Sequence, residues 1–424
     1  MKHLLSDVPL SLRVCIVVPY DLADRAGGVK HHALQLARLL RQQGHQATIL
    51  GASSVETREP HTFGIGGVVN VRSNGSDNRM AILASRSRIK AFFRERTFDV
   101  VHIHEPPIPS ISYWTAWLTP NVPKMSTFHA FAESPPLGLR VLMRLAGALQ
   151  YSFFDHAVAV SPSAARFARR TWRRPLEIVP NGVPIDLFTP SLIPAKLAPT
   201  RRLLAIGRLG DARKGIATMI EAFRVLKARD ARWSLDIVGE DGTAPNAPTI
   251  RGLTYHPPQP LSGLIERYRE CDVFVAPSTS QESFGIVLLE AMATGKPIVC
   301  SDIEGYRHVA DPRGTVFVSP RDPMALADAL DAVMADEPRR RAMAAFNLAY
   351  VRRFDWSLVA KSTVRQYLIT IENYRIRRGL PTLGLLQRWS THRVKPVRHS
   401  WTFDAADRIE TGLGAAAAKT SLGP

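Results

Sequence analysis

Residues 12–50 constrain the fold more than any other part of the chain. LRVCIVVPY (12–20) is a compact apolar run ending in Pro19, as expected of a strand covered on both faces. GGVKHHALQLARLLRQQGHQATIL (27–50) then reads as a glycine turn, an amphipathic helix with Ala33, Leu36 and Leu40 on one stripe, a stop at Gly44 and a second strand. A buried strand followed by a helix and another buried strand implies a parallel sheet with helices on its faces.

The unit recurs in FDVVHIHEP (98–106), VPKMSTFHA (122–130) and HAVAVSPSAARFAR (156–169). It restarts after LFTPSLIPAKLAPTRR (187–202), whose prolines and polar residues predict a linker. LLAIGRL (203–209), WSLDIVGE (233–240), CDVFVAPS (271–278) and KPIVCSDI (296–303) supply the strands of a second half. The expected class is α/β: two Rossmann-like, doubly wound domains facing across a cleft. Their spans are 1–190 and 191–356. A helix at 357–378 is expected to return to the first domain, ahead of a basic tail at 379–424. Between Asn373 and Phe403 there is no Asp or Glu.

A net charge of +18, from 55 Lys and Arg against 37 Asp and Glu, calls for anionic partners. Nucleic acid is not expected, because no binding module accompanies the charge. No run of 18 apolar residues is present, so no membrane span is expected. Cys15, Cys271 and Cys300 lie in apolar settings without metal-ligand spacing, which predicts buried, reduced thiols and a cytoplasmic protein. His102 and His104 point to one side of a strand, but the sequence sets no cysteine or third histidine beside them, and no metal is expected. The basic stretch ASRSRIKAFFRERTF (84–98), with Arg86, Arg88, Lys90, Arg94 and the aromatics Phe92 and Phe93, is a helix suited to anionic headgroups, or a solvated helix face with its aromatics in the core.

The chemistry gathers after strands. Gly27 and Gly28 let backbone N–H groups approach a phosphate at a helix start, or simply make a tight turn. Arg208 and Lys214, in GRLGDARKG, offer a bidentate donor and a point charge. In QESFGIVLLE (281–290), a helix starting near Gly285 would present free N–H groups from Phe284, Gly285, Ile286 and Val287. Glu282 lies just before that helix and Glu290 about 7 Å along it. Carboxylates at these two places suit paired hydroxyls.

Glu282 and Glu290 with seven residues between them, Arg208 with Lys214 six residues on, TFH (127–129), VPNGV (179–183) and the Gly-Gly turn occur in one order. In this the chain resembles the family 4 retaining glycosyltransferases of GT-B fold, over about residues 12–375. Within them it is most similar to the bacterial phosphatidylinositol mannosyltransferases, whose GESFGIV and YDWS stand here as QESFGIV and FDWS. The resemblance implies a hexosyltransferase that moves mannose from GDP-mannose to a lipid or lipid-linked acceptor, with retention and without a cofactor. It implies that Gly28 approaches the donor diphosphate and His129 the transferred sugar. Arg208 and Lys214 would neutralise the diphosphate, Glu282 would hold sugar hydroxyls and Glu290 the ribose, with Phe284–Val287 giving backbone donors. The leaving phosphate would serve as base, and the absence of a D-x-D triplet agrees with a metal-free site. Tyr20 and Arg79 align with acceptor-side positions, and the basic helix with the one that meets the inner face of the cell membrane. After TFH, AFAESPP lacks the lysine expected for an inositol-phosphate acceptor. Alternatives are a UDP-sugar enzyme with a soluble or polysaccharide-precursor acceptor, and a non-catalytic nucleotide-sugar-binding protein.

Overall fold

A computed structural model describes residues 11–22, 28–53, 60–73, 76–106, 110–131, 147, 151–191, 201–239 and 247–384. Residues 1–383 form one compact unit; of the rest, only Gly384 is described. The expected linker therefore lies mostly outside the described residues.

The first half runs β1 (Arg13–Asp21), α1 (Gly28–Gln42), β2 (Gln46–Ala52), β3 (Thr62–Gly64), β4 (Gly67–Ser73), β5 (Ser76–Leu83), α2 (Arg86–Glu95), β6 (Val100–His104), α3 (Ile111–Leu118), β7 (Lys124–Phe128), β8 (His156–Ala159), α4 (Pro162–Ala168) and β9 (Glu177–Ile178). Its parallel strands lie in the order β3-β2-β1-β6-β7-β8-β9. Val14 to Val18 are fully buried, as a strand between two helical layers requires. One element was not expected from the sequence. β4 and β5 form an antiparallel hairpin, and β5 joins β1 by pairing Met80 with Tyr20. Its polar composition hid it, although Asn74-Gly75 is a hairpin signal.

The second half runs β10 (Arg201–Ile206), α5 (Ile216–Arg229), β11 (Trp233–Val238), β12 (Leu253–His256), α6 (Leu261–Glu270), β13 (Val273–Ala276), α7 (Ile286–Ala293), β14 (Ile298–Ser301), α8 (Glu304–Arg307), β15 (Thr315–Val318), α9 (Pro323–Ala335), α10 (Glu337–Tyr350) and α11 (Trp356–Arg377). Its sheet order is β12-β11-β10-β13-β14-β15, all parallel. In each sheet the winding reverses beside the first strand, between β1 and β6 and between β10 and β13. Crevices for ligands open at the carboxyl ends of such pairs.

α11 follows the second sheet but packs on the first. Tyr367 bonds His102 at 2.8 Å, Gln366 bonds His156 and Glu177 at 2.8 Å each, and Arg377 pairs with buried Asp155 at 2.6 Å. Its start is fixed by a backbone bridge between Val183 and Asp355. The three cysteines are buried and free, and burial raises each thiol far above its ordinary range. Among the described residues no helix is long and apolar enough to cross a membrane.

Candidate active site

The candidate residues stand at both winding reversals. After β10, residues 208–215 tighten into a 3-10 turn whose cap, Asp211, accepts from the Arg213 main-chain N–H. Gly215 then takes φ +65°. A Cβ at Gly215 would lie 1.9 Å from the Pro277 carbonyl, so the turn is pressed against the end of β13. The Thr279 N–H donates to the Arg213 carbonyl at 2.7 Å, locking the two loops together. That closure brings Lys214 Nζ to 2.5 Å from Glu282 Oε1. Arg208 is exposed at the mouth of the same turn, with no acidic partner among the described residues.

α7 starts where the sequence places it. Gly285 is its N-cap with φ +93°, and no side chain caps the helix. A Cβ there would strike the Tyr306 ring at 2.7 Å, so the backbone lies flat on Tyr306, whose hydroxyl bonds Ser278. Gly305 backs the loop from below, since a Cβ on it would lie 1.9 Å from the Glu282 carbonyl. The Phe284 side chain is buried against Phe354. Across from α7, Gly28 opens α1, and a Cβ on Gly28 would sit 3.8 Å from Ile286. Two helix N-termini thus converge with a basic turn beside them, an arrangement that attracts a diphosphate. Glu290 lies one turn into α7 and accepts from the Tyr268 hydroxyl at 2.8 Å. Burial pushes its carboxyl up to about 7, against the hydrogen bond that favours its charge.

One turn after Gly28, on the same face of α1, His32 enters a buried histidine cluster. His32 Nδ1 is 2.8 Å from Asn181 Oδ1, and its ring meets Trp356 edge-on at 4.9 Å. His104 Nδ1 and His129 Nε2 share a 2.8 Å hydrogen bond. Glu105 turns back with φ +48°, a conformation that non-glycine residues adopt rarely. Its Oε1 accepts from the main-chain N–H groups of His129 (2.6 Å) and Ala130 (2.7 Å), which fixes the backbone that carries His129. Burial lifts the Glu105 carboxyl to about 7, although those two donors favour its charge. Burial also lowers His32 to about 4 and takes His104 and His129 well below the usual histidine range, so all three are neutral at pH 7.

Two family models match in chain order, one described as Glycosyltransferase Family 4 over residues 26–187 and one as Glycosyl transferases group 1 over 194–347. The phosphatidyl-myo-inositol mannosyltransferase of Mycobacterium tuberculosis is 32% identical over 372 residues, covering 84% of this chain and 96% of its own. This chain is a family 4 glycosyltransferase. The corresponding mannosyltransferase of Propionibacterium freudenreichii is 30% identical over 398 residues, with 87% of this chain and 98% of that one covered. Among solved structures, a glycosyltransferase from Rickettsia africae superposes with a TM-score of 0.67 at 19% identity, covering 86% of this chain and all of that one. The fold is accordingly GT-B, and the glycosyltransferase is a hexosyltransferase.

The remaining expected residues divide. Tyr20 and Arg79 come together at the β1–β5 junction, where Arg79 pairs with fully buried Asp21 at 3.2 Å. Arg86, Arg88, Lys90 and Arg94 are exposed on α2. Phe92 and Phe93 instead turn toward Phe63 and Phe98, so the aromatics of α2 serve the core and not its outer face. The fold also corrects the reading of His102 and His104 as lacking a third histidine. It brings His32 and His129 to His104, with ligand nitrogens of these three within 4.8 Å of one another. Hydrogen bonds already occupy Nδ1 of His32, Nδ1 of His104 and Nε2 of His129, while Nε2 of His104 is buried without a partner among the described residues. Sequence reasoning missed Glu105, His32, Asn181, Tyr268 and Trp356. Asn181, Gly182 and Val183 lay within a noted motif, and the fold shows its use: Asn181 orients His32, Gly182 leaves room for the Trp356 ring and Val183 tethers α11.

Proposed function

We propose that this glycosyltransferase transfers mannose from GDP-mannose, with retention, to a lipid or lipid-linked acceptor at the cytoplasmic face of the membrane. The observation that carries the reading is the convergence of the α1 and α7 N-termini near the loops that carry the Lys214–Glu282 pair. A diphosphate there gains backbone donors from Gly285 and Ile286, and cations from Arg208 and Lys214 in place of a metal. Negative charge develops on the leaving phosphate, so cations already in position lower the barrier. Glu282, held by Lys214, is placed to accept from sugar hydroxyls, and Glu290 from the ribose. His129, neutral and fixed by Glu105 and His104, faces the reacting sugar. Within its buried setting Glu105 is engaged by two main-chain donors, which supports the leaving phosphate as the base. The names of the mycobacterial and propionibacterial relatives support mannose and an inositol lipid, while AFAESPP after His129 departs from them on the acceptor side.

The test is incubation of the purified protein with GDP-mannose or UDP-sugars and a bacterial lipid extract, with products read by mass spectrometry. A mannosylated lipid formed from GDP-mannose, and lost in Glu282→Ala, is the expected result. Turnover with UDP-sugars alone overturns the donor assignment, and donor binding without hydrolysis or transfer overturns the enzymatic reading.

A further inference from the structure

α8 is four residues long, yet three of them in succession reach parts of the molecule that the chain order keeps apart. Tyr306 lies under Gly285, and its hydroxyl bonds Ser278, just past β13, at 2.7 Å. Gly305 abuts the Glu282 carbonyl. Glu304 turns the other way, to the first half. Its Oε1 accepts from the Ser163 hydroxyl at 2.6 Å and its Oε2 from Arg166 Nη1 at 2.7 Å, while Arg166 Nη2 reaches Oε1. Ser163 and Arg166 stand on α4, which follows β8 as α8 follows β14, so the link is made at the carboxyl ends of both sheets. A single exposed ion pair contributes little. This one is forked, with two guanidinium nitrogens on the carboxylate, and the serine beside it is fully buried. Burial works to raise the Glu304 carboxyl, but the bonds from His308 and Ser163 and the Arg166 charge hold it at about 2, so it is ionised at neutral pH.

We propose that Glu304 is a positioning residue for glycosyl transfer: by tying α4 of the first half to α8 of the second, it fixes how the halves meet beside the donor loop and holds the Glu282 main chain in place. It rests on the reading that the donor lies along residues 282–286, and it gives that loop an anchor in the first half, Ser163 and Arg166. Glu304 acts through Gly305 and Glu282. Without it, Arg208, Lys214 and the α7 N–H groups still hold the diphosphate. What is lost is the alignment of Glu282 with His129, which come from different halves. Lost alignment falls on the transition state and so on kcat, whereas lost binding falls on KM.

Glu304→Ala and Arg166→Ala in the full chain, with GDP-mannose as donor, test the proposal. Each should lower kcat about fivefold and leave the donor KM within about twofold, the size expected for a forked pair partly open to water. The charge-swapped double variant, Arg166→Glu with Glu304→Arg, should recover much of the activity that either of its single changes loses; a residue serving only its own half would show no such rescue. Amide hydrogen exchange without ligand reads the same link independently of the donor. Residues 282–286 should exchange about fivefold faster in Glu304→Ala, with the urea midpoint unchanged. Wild-type kcat, or wild-type exchange at 282–286, in both alanine variants overturns the proposal. So does a loss confined to the donor KM, a loss that follows a lowered urea midpoint, or a charge swap no better than its single changes. A wild type inactive on GDP-mannose counts against the donor reading instead, and the exchange measurement then decides this one.

Discussion

Gly305→Ala is the sharpest perturbation of the donor loop. The residue lies in α8 and is not itself an expected catalytic residue, but a Cβ on it would stand 1.9 Å from the Glu282 carbonyl oxygen and 2.7 Å from its carbon. Real Cβ contacts essentially stop at 3.0 Å, so backbone must retreat by about 1.1 Å, and no flexible side-chain tip is there to absorb the shift. Overpacking of this kind costs about 1–3 kcal/mol of stability. A functional cost of similar size follows, because the displaced residue is Glu282, whose carboxylate is set by Lys214. Misplacement of a positioning group by about 1 Å lowers turnover on the order of 100-fold. The assay is kcat/KM for donor hydrolysis beside urea unfolding, with Gly263→Ala as the contrast. Gly263 lies inside α6, and its added Cβ meets only the flexible end of Gln259 at 3.0 Å. That variant should gain about 0.5–1 kcal/mol and keep full activity. Near-normal turnover in Gly305→Ala would show that loop 282–285 does not position the donor.

Glu105 makes stability pH-dependent. Its carboxyl ionises near 7 when folded and near its ordinary 4.5 when unfolded, so the folded state holds the extra proton between those values. Its contribution is full below pH 4.5 and falls as pH rises to 7, by up to about 3 kcal/mol; urea midpoints for Glu105→Gln across this range should show a flatter profile, and an unchanged slope would refute the assignment. Gln281 holds φ +57°, the left-handed region that favours glycine, so Gln281→Gly should raise stability by about 1 kcal/mol; a loss by urea titration would count against strain there. Gly182→Ala would place a Cβ 2.6 Å from the Trp356 ring, and with it disturb His32. It should destabilise by about 1–3 kcal/mol and slow turnover, and unaltered kinetics would uncouple α11 from the histidine cluster.

The parallel sheets and the donor turn were legible because each is written locally. A continuous apolar strand, a glycine at a helix start and an acid just before it are near neighbours in the chain. The histidine cluster was not legible, because it is assembled across the sheet. His32, His104, His129 and Asn181 come from α1, β6, the turn after β7 and the turn after β9, and Trp356 from α11. His104, His129 and the motif of Asn181 were each read separately, and only the order β1-β6-β7-β8-β9 makes them adjacent. Phe92 and Phe93 stayed open for a different reason, since an amphipathic pattern gives two faces without saying which one the core takes.

The most direct test is a crystal structure of the protein with GDP or intact GDP-mannose bound. The diphosphate should accept from the main-chain N–H groups at Gly285 and Ile286, with Arg208 and Lys214 on its remaining oxygens and Glu282 within hydrogen-bond reach of the sugar. A nucleotide bound away from the α7 N-terminus, or Arg208 and Lys214 both turned from the phosphates, would contradict the assignment.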